Sequence, residues 1–226
     1  MCGRFAQVIK HRYLKKYLDE IANPELTIPI NFNVAPSQFV GIIFRDTNRI
    51  IQDFMQWKLV PAWANNSSRY NIINTRIESI KEKPFWRGLF RHKRCLIPAN
   101  GFYEWHKDTK QPYFIKLKDD ELMFMAGIFD IKEYPDGSVL PSFSILTKEA
   151  NVEISELHHR MPIMIPNCEL REYIQSSDYD KVLQKCNTSR DNIFDIYPVS
   201  KAVNKTSNNY PELLEEYIIE DNLTLF

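Results

Sequence analysis

The residue with the narrowest chemistry in this chain is Cys2, in the opening run Met1-Cys2-Gly3-Arg4. If Met1 is removed, Cys2 carries an α-amine and a thiol on adjacent carbons, a pair no internal residue offers. The amine condenses with an aldehyde to an imine, and the thiol closes onto the imine carbon to give a five-membered thiazolidine. Such a residue is an aldehyde trap. Its α-amine and thiol titrate near about 8 and about 8.5, so both are partly deprotonated at neutral pH, where an ordinary lysine is protonated. Cys2 and Gly3 are both small, which suits removal of the initiator methionine. Taken alone, however, a small residue after a retained methionine is the commoner meaning of such a stretch.

Other residue types able to do chemistry lie further along. Glu104 sits among Phe102, Tyr103 and Trp105. There it is either an exposed position on a half-wet sheet or a partly desolvated acid with a raised pKa. His158 and His159 precede Arg160, and a histidine titrates near neutral pH without help. The segment from Pro84 to Lys93 interleaves Phe85, Trp86 and Phe90 with Arg87, Arg91 and His92. That mixture suits a groove for single-stranded nucleic acid, and equally a helix with a buried aromatic stripe and a solvated basic face.

These groups need elements to position them. The apolar spacing of Val8, Tyr13, Leu14, Tyr17, Leu18 and Ile21 predicts one amphipathic helix over Gln7–Ile21. Phe39–Phe44 and Ile50–Trp57 read as strands of a hairpin turning at Arg45-Asp46-Thr47-Asn48, and Asn65–Arg69 as a surface loop. If Ile73–Glu78 is extended, Asn74, Arg76 and Glu78 share one face. Pro84 opens a helix through Lys93. Strands follow at Cys95–Pro98, Phe102–His106, Tyr113–Leu117, Leu122–Ile131 and Ser142–Thr147. Glu169–Tyr173 and Tyr179–Leu183 read as helices, Ile193–Val199 as a last strand, and Pro211–Ile219 as a short helix in an acidic, apolar tail. Short strands with peripheral helices and no βαβ alternation predict an α+β fold with a mainly antiparallel sheet.

The composition of the 226 residues, 44% hydrophobic and 26% charged, is that of a soluble globular protein, and one domain is expected. No apolar run is long enough to cross a bilayer and no signal peptide is evident, so a cytoplasmic protein is expected. Four widely separated cysteines, without CxxC or zinc spacing, argue against a disulfide framework, a metal or a cofactor. The net charge of zero hides 18 Lys+Arg against 9 Asp+Glu in residues 1–110, leaving 11 against 20 in the remainder. That asymmetry suits one basic face toward a polyanion, unless the two halves interleave in the fold.

An ordered set of motifs then sharpens the reading: Met1-Cys2-Gly3-Arg4-Phe5, Asn33-Val34-Ala35-Pro36, Trp57 to Trp63, Asn74-Thr75-Arg76-Ile77-Glu78, Arg94 to Trp105, Phe143 to Thr147, and His158-His159-Arg160-Met161-Pro162. Together, over residues 1 to about 205, they resemble the SOS response-associated peptidase (SRAP) family. The resemblance implies a single domain, 1–226 with a tail from about 205, built on a barrel-like sheet. It further implies a DNA-damage protein that binds single-stranded DNA and traps the aldehyde of an abasic site as a thiazolidine crosslink, a lyase-like activity. Fork or junction DNA would be a possible partner, and the chain would act as a monomer. By the same resemblance Cys2 is the nucleophile, Asn74 orients sugar and cysteine, Glu104 is the general acid, His158 moves protons and Thr147 supports the site. Arg4, Arg76 and Arg160 would contact phosphates, and Trp63, Trp105 and Phe39 would stack or wedge against bases. Trp57 is expected in the core. Lys201 stands where the family has a familiar arginine, which keeps charge but loses a bidentate fork.

Two alternatives belong to other classes. One is a cysteine peptidase or amidohydrolase using Cys2 with His158 and Glu104. The other is a non-covalent single-strand binding module in which the arginines and Trp105 matter and Cys2 does not.

Overall fold

Two β-rich apolar runs after Pro36, parted by a polar turn, form a hairpin. In the computed structural model, which describes residues 2–10, 14–22, 26–65, 70–119, 121–188 and 191–218, its strands are β3 (Phe39–Asp46) and β4 (Arg49–Trp57). The turn places Thr47 at a positive φ of 49°. Before the hairpin come β1 (Arg4–Gln7) and β2 (Asn31–Val34); after it come β5 (Asn74–Arg76), β6 (Arg94–Ala99), β7 (Gly101–Trp105) and β8 (Pro112–Leu117). The chain continues through β9 (Met123–Glu133), β10 (Val139–Glu149), β11 (Arg160–Pro162) and β12 (Phe194–Pro198). Helices are α1 (Ile77–Glu82), α2 (Pro84–His92), α3 (Val152–Ser155), α4 (Leu170–Gln175) and α5 (Tyr179–Asn187).

Strands β4, β3, β6, β9 and β10 pair in that order, and β10 returns to pair with β4, closing a five-stranded ring. Closure removes free sheet edges. All the ring's pairings are antiparallel except β10 with β4. The expected α+β fold with a mainly antiparallel, barrel-like core is therefore the fold observed. Trp57 is fully buried there with Val40, Ile42, Ile97, Phe143 and Ile145, and its indole N–H donates to the Ile73 carbonyl at 2.8 Å. At Gly127 a Cβ would lie 2.6 Å from Ile97 and 2.8 Å from the Cys95 sulfur, so β9 crosses the barrel where no side chain fits.

The second sheet runs β12-β8-β7-β1-β2. Its inner strand β1 pairs with β7 in the register Arg4↔Tyr103 and with β2 at Phe5↔Val34. Gln7, 2% exposed, ties this sheet to the barrel: its amide donates to the carbonyls of Gly41 and Pro98 and accepts from the Gly41 N–H.

Three expectations change. The helix over Gln7–Ile21 does not begin at Gln7, because Arg4–Gln7 is paired on both sides as a strand. Residues 11–13 lie outside the described set, and the described remainder holds a single turn, with Leu18 N–H donating to the Leu14 carbonyl at 2.9 Å. The extended run predicted over Ile73–Glu78 ends at Arg76, since Ile77 and Ile80, one helical turn apart, are both buried as α1. The helix expected over Pro211–Ile219 is a 3-10 turn over Pro211–Leu214, and residue 219 lies outside the described set, as do residues 66–69 of the loop after Trp63. Among the described residues no helix is long and apolar enough to cross a membrane, and all four cysteines are free.

Candidate functional site

The terminal residues are delivered by β1. Two residues before that strand, Cys2 is wholly buried, and its carbonyl accepts the Asn74 amide N–H at 2.8 Å. Asn74 is held by β5, which lies parallel to β10 in the register Ile145↔Asn74 and Thr147↔Arg76. On its other side β10 pairs with β11, with Glu149 opposite Arg160. One barrel strand thus gathers Asn74, Thr147 and the His158–Arg160 segment, while β7 brings Glu104 from the second sheet.

Burial dominates the electrostatics. Glu104 is 3% exposed, and desolvation raises its carboxyl above the ordinary carboxylate value. The Cys2 thiol is pushed well above its ordinary value, first by burial and then by the charge of Glu104, which places the two side chains in one electrostatic neighbourhood. The partly ionised thiol expected from the free amino acid is therefore corrected: in this fold the sulfur holds its proton at neutral pH. His158 moves down, mainly by burial. Its Nδ1 lies 2.9 Å from the Arg160 backbone nitrogen and 3.2 Å from the Arg160 carbonyl oxygen. The His159 ring stacks on it at 4.3 Å.

Arg160 is buried, and its guanidinium forks onto Glu78 at 2.7 and 2.9 Å and donates to the Thr147 carbonyl at 2.8 Å. Arg4 is half-buried, with Nη1 donating to Asn33 Oδ1 and to the Val203 carbonyl, each at 2.7 Å. Its guanidinium lies 5.9 Å over the Trp105 ring, whose N–H donates to Asn204. Four polar atoms, Arg4 Nε, Asn74 Oδ1, Thr147 Oγ1 and Arg160 Nε, are buried without a hydrogen-bond partner among the described residues. Buried polar groups are nearly always paired, so these side chains hold donors and acceptors in reserve for a ligand.

The remaining candidates are placed more openly. Arg76 is exposed on β5. Trp63, 61% exposed, meets Tyr70 and Phe85 edge-on at 5.6 and 5.8 Å, and Phe39 is exposed at the start of β3. In α2 the stripe is divided: Leu89 and Phe90 are buried, while Phe85 and Trp86 pack partly against the core. Residues overlooked in the sequence are Glu78, Asn33 and Asn204, the partners that hold Arg160, Arg4 and Trp105. Asn33 and Glu78 each carried a signal, their places in Asn33-Val34-Ala35-Pro36 and Asn74-Thr75-Arg76-Ile77-Glu78; Asn204 carried none beyond polarity.

A cavity of about 670 Å3 lies away from this cluster, lined by Arg45, Arg91, Arg94 and Ser176. Arg94 there is occupied, donating to the carbonyls of Tyr173, Phe90, Arg91 and Ser176. Among the described residues no group of three or more His, Cys, Asp or Glu could hold a metal.

Comparison with known proteins bears on the family and the fold. Over 96% of its length the chain is 33% identical to the whole of the abasic site processing protein YoqW of Bacillus subtilis. It is 30% identical to the abasic site processing protein YedK of Escherichia coli, covering 95% of this chain and 99% of that one. A crystal structure of a protein from Bacteroides thetaiotaomicron superposes with a TM-score of 0.83 at 23% identity, over 96% of this chain and all of the other, which shows a shared fold. The family model of the SOS response associated peptidases matches residues 1–206, and the chain belongs to that family.

Proposed function

We propose that this protein processes abasic sites, using Cys2 after loss of Met1 to capture the ring-opened sugar aldehyde in single-stranded DNA. The relatives named as abasic site processing proteins support the substrate. The observation that carries the chemistry is the burial of Cys2 and Glu104 at a site where Asn74 holds the Cys2 carbonyl. Glu104, whose carboxyl burial raises above its ordinary value, is the acid that donates to the deoxyribose ring oxygen as the ring opens. The α-amine of Cys2 adds to the aldehyde carbon, water leaves and an imine remains. The sulfur then bonds to the same carbon while its proton passes to the imine nitrogen. One water is lost overall, and no oxidant or metal is needed. Neutral His158 relays protons between these steps, and Asn74 holds the backbone of Cys2 while its Oδ1 accepts from amine or sugar. Thr147 supports the site, Arg4, Arg76 and Arg160 meet phosphates, and Trp63, Trp105 and Phe39 meet bases.

Burial raises the Cys2 thiol, which disfavours the thiolate that a cysteine peptidase needs to attack an amide. An imine takes sulfur and proton together.

The test is the intact mass of the protein before and after incubation with a single-stranded oligonucleotide carrying one abasic site. The expected product is protein without Met1, plus oligonucleotide, minus one water, and it is absent in Cys2→Ala. A processed protein that binds the oligonucleotide yet shows no such adduct overturns the reading.

A further inference from the structure

The motif Asn33-Val34-Ala35-Pro36 has no part in the chemistry above, yet its asparagine is among the most densely bonded side chains in the molecule. Asn33 lies in β2, 1% exposed. Its Oδ1 accepts from Arg4 Nη1 at 2.7 Å. Its Nδ2 lies 3.2, 3.1 and 2.9 Å from the carbonyls of Val203, Lys205 and Asn208. Two protons shared among three carbonyls is a demand that few side chains besides an amide satisfy while also accepting from a guanidinium.

Those carbonyls belong to a strap laid across the second sheet. It begins at Ser200, whose hydroxyl caps the 3-10 turn Lys201–Asn204. Asn209 accepts the Phe32 N–H at 2.8 Å, and Leu213 is wholly buried near the Tyr103 hydroxyl. Within the strap, Asn204 accepts the indole N–H of Trp105 at 2.8 Å. One amide therefore joins two things: the segment that fixes Trp105, and the guanidinium that lies over Trp105.

The hold on Arg4 is one-sided. Nη1 is committed to Asn33 and Val203, whereas Nε is buried without a partner among the described residues. A guanidinium anchored by one end presents the opposite edge to a phosphate in a fixed direction, and fixed direction is what a bidentate contact needs.

We propose that Asn33 is a positioning residue of the DNA cleft: it aims the Nε edge of Arg4 at a phosphate of the bound strand and latches the 200–209 strap that holds Trp105. This rests on the functional reading above. Asn33 touches neither substrate nor reacting atoms and acts through Arg4 and Asn204.

The test is non-covalent binding of a fluorescent single-stranded oligonucleotide containing a tetrahydrofuran abasic analogue, which has no aldehyde, titrated across a range of salt. Asn33→Ala is expected to weaken binding about tenfold and to shrink the slope of log K against log salt by about 0.7, the loss of one phosphate contact on a single strand. Arg4→Met should do the same, and the double variant should bind within about twofold of Arg4→Met, since coupled residues are not additive. Wild-type affinity in Asn33→Ala, a loss at unchanged slope, or effects that add in the double variant overturn the proposal. If Asn33→Ala does not fold, Arg4→Lys decides: it keeps charge and slope but should bind about tenfold more weakly, and wild-type affinity there overturns the aimed edge. A wild-type protein that binds the analogue but never crosslinks a true abasic site removes the aldehyde-capture reading and leaves this inference standing.

Discussion

The side-chain amide of Asn74 donates to the Cys2 carbonyl at 2.8 Å, joining the strand appended to the barrel to the start of the second sheet. Removing that donor should leave the fold intact and the terminus misplaced. Asn74→Ala is expected to slow single-turnover crosslinking about 10- to 100-fold, in line with roughly 1–3 kcal/mol for an unmade hydrogen bond in a buried site. Rates within twofold of wild type would show that the bond only packs the chain.

Glu104 makes a prediction about stability as well as rate. Its folded pKa is raised, so the native state holds a proton that the unfolded chain releases near the ordinary value. The neutral carboxyl is compatible with burial at low pH, and stability falls as pH rises through the folded pKa. Glu104→Gln should therefore melt at an equal or higher temperature than wild type at pH 8, with the difference shrinking toward pH 4. Its crosslinking rate should fall about 10²- to 10⁴-fold, the range of a lost general acid. A variant that melts lower at pH 8 would contradict the assigned burial cost.

His158 lies below its ordinary value of 6.5, and so is neutral at pH 7. The ratio of wild-type to His158→Ala crosslinking rates, which cancels the titration of the α-amine, should be flat across pH 7 and fall only on the acid side of 6.5. His158→Ala should be slower and should lack that acid limb. An acid limb with its midpoint above pH 6.5 would exclude His158 as its source.

Arg160 is held by Glu78, whose carboxyl is kept below its usual range first by that hydrogen bond. This contribution is present above the unfolded value and is lost as pH falls through the lowered folded one. Glu78 is 50% exposed, so screening trims the effect, although Arg160 is left buried without its partner. Glu78→Ala should cost about 1–2 kcal/mol at pH 7, read as a fall in denaturation midpoint that narrows near pH 3. A midpoint shift unchanged between pH 7 and pH 3 would assign the loss to packing.

What could be read from the sequence follows from contact range. The Phe39–Trp57 hairpin was legible because two β-rich runs and the polar turn between them are local. The gathering of Cys2, Asn74, Glu104 and His158 was legible only through resemblance, since the pairings that unite them join Arg4 to Tyr103 and Asn74 to Ile145, 99 and 71 residues apart. The helix predicted from Gln7 failed because the pairing of β1 with β2 and β7 overrides the helical spacing of its neighbours. The role of Asn33 was invisible for the same reason: its partners lie about 170 residues away, and no local pattern marks a carbonyl as someone else's acceptor.

The inner position of β1 also sets a clock. Arg4 closes onto the Val203 carbonyl 199 residues downstream, and β1 has no β7 to pair with until residue 105 has been made. A ribosome adding roughly 5–20 residues per second needs on the order of ten seconds or more to reach that partner. Throughout that interval the amino terminus is unfolded and open to an aminopeptidase. Cys2, wholly buried in the finished protein, is thus among the residues exposed longest during its synthesis, and the proposed loss of Met1 is expected to take place on the nascent chain.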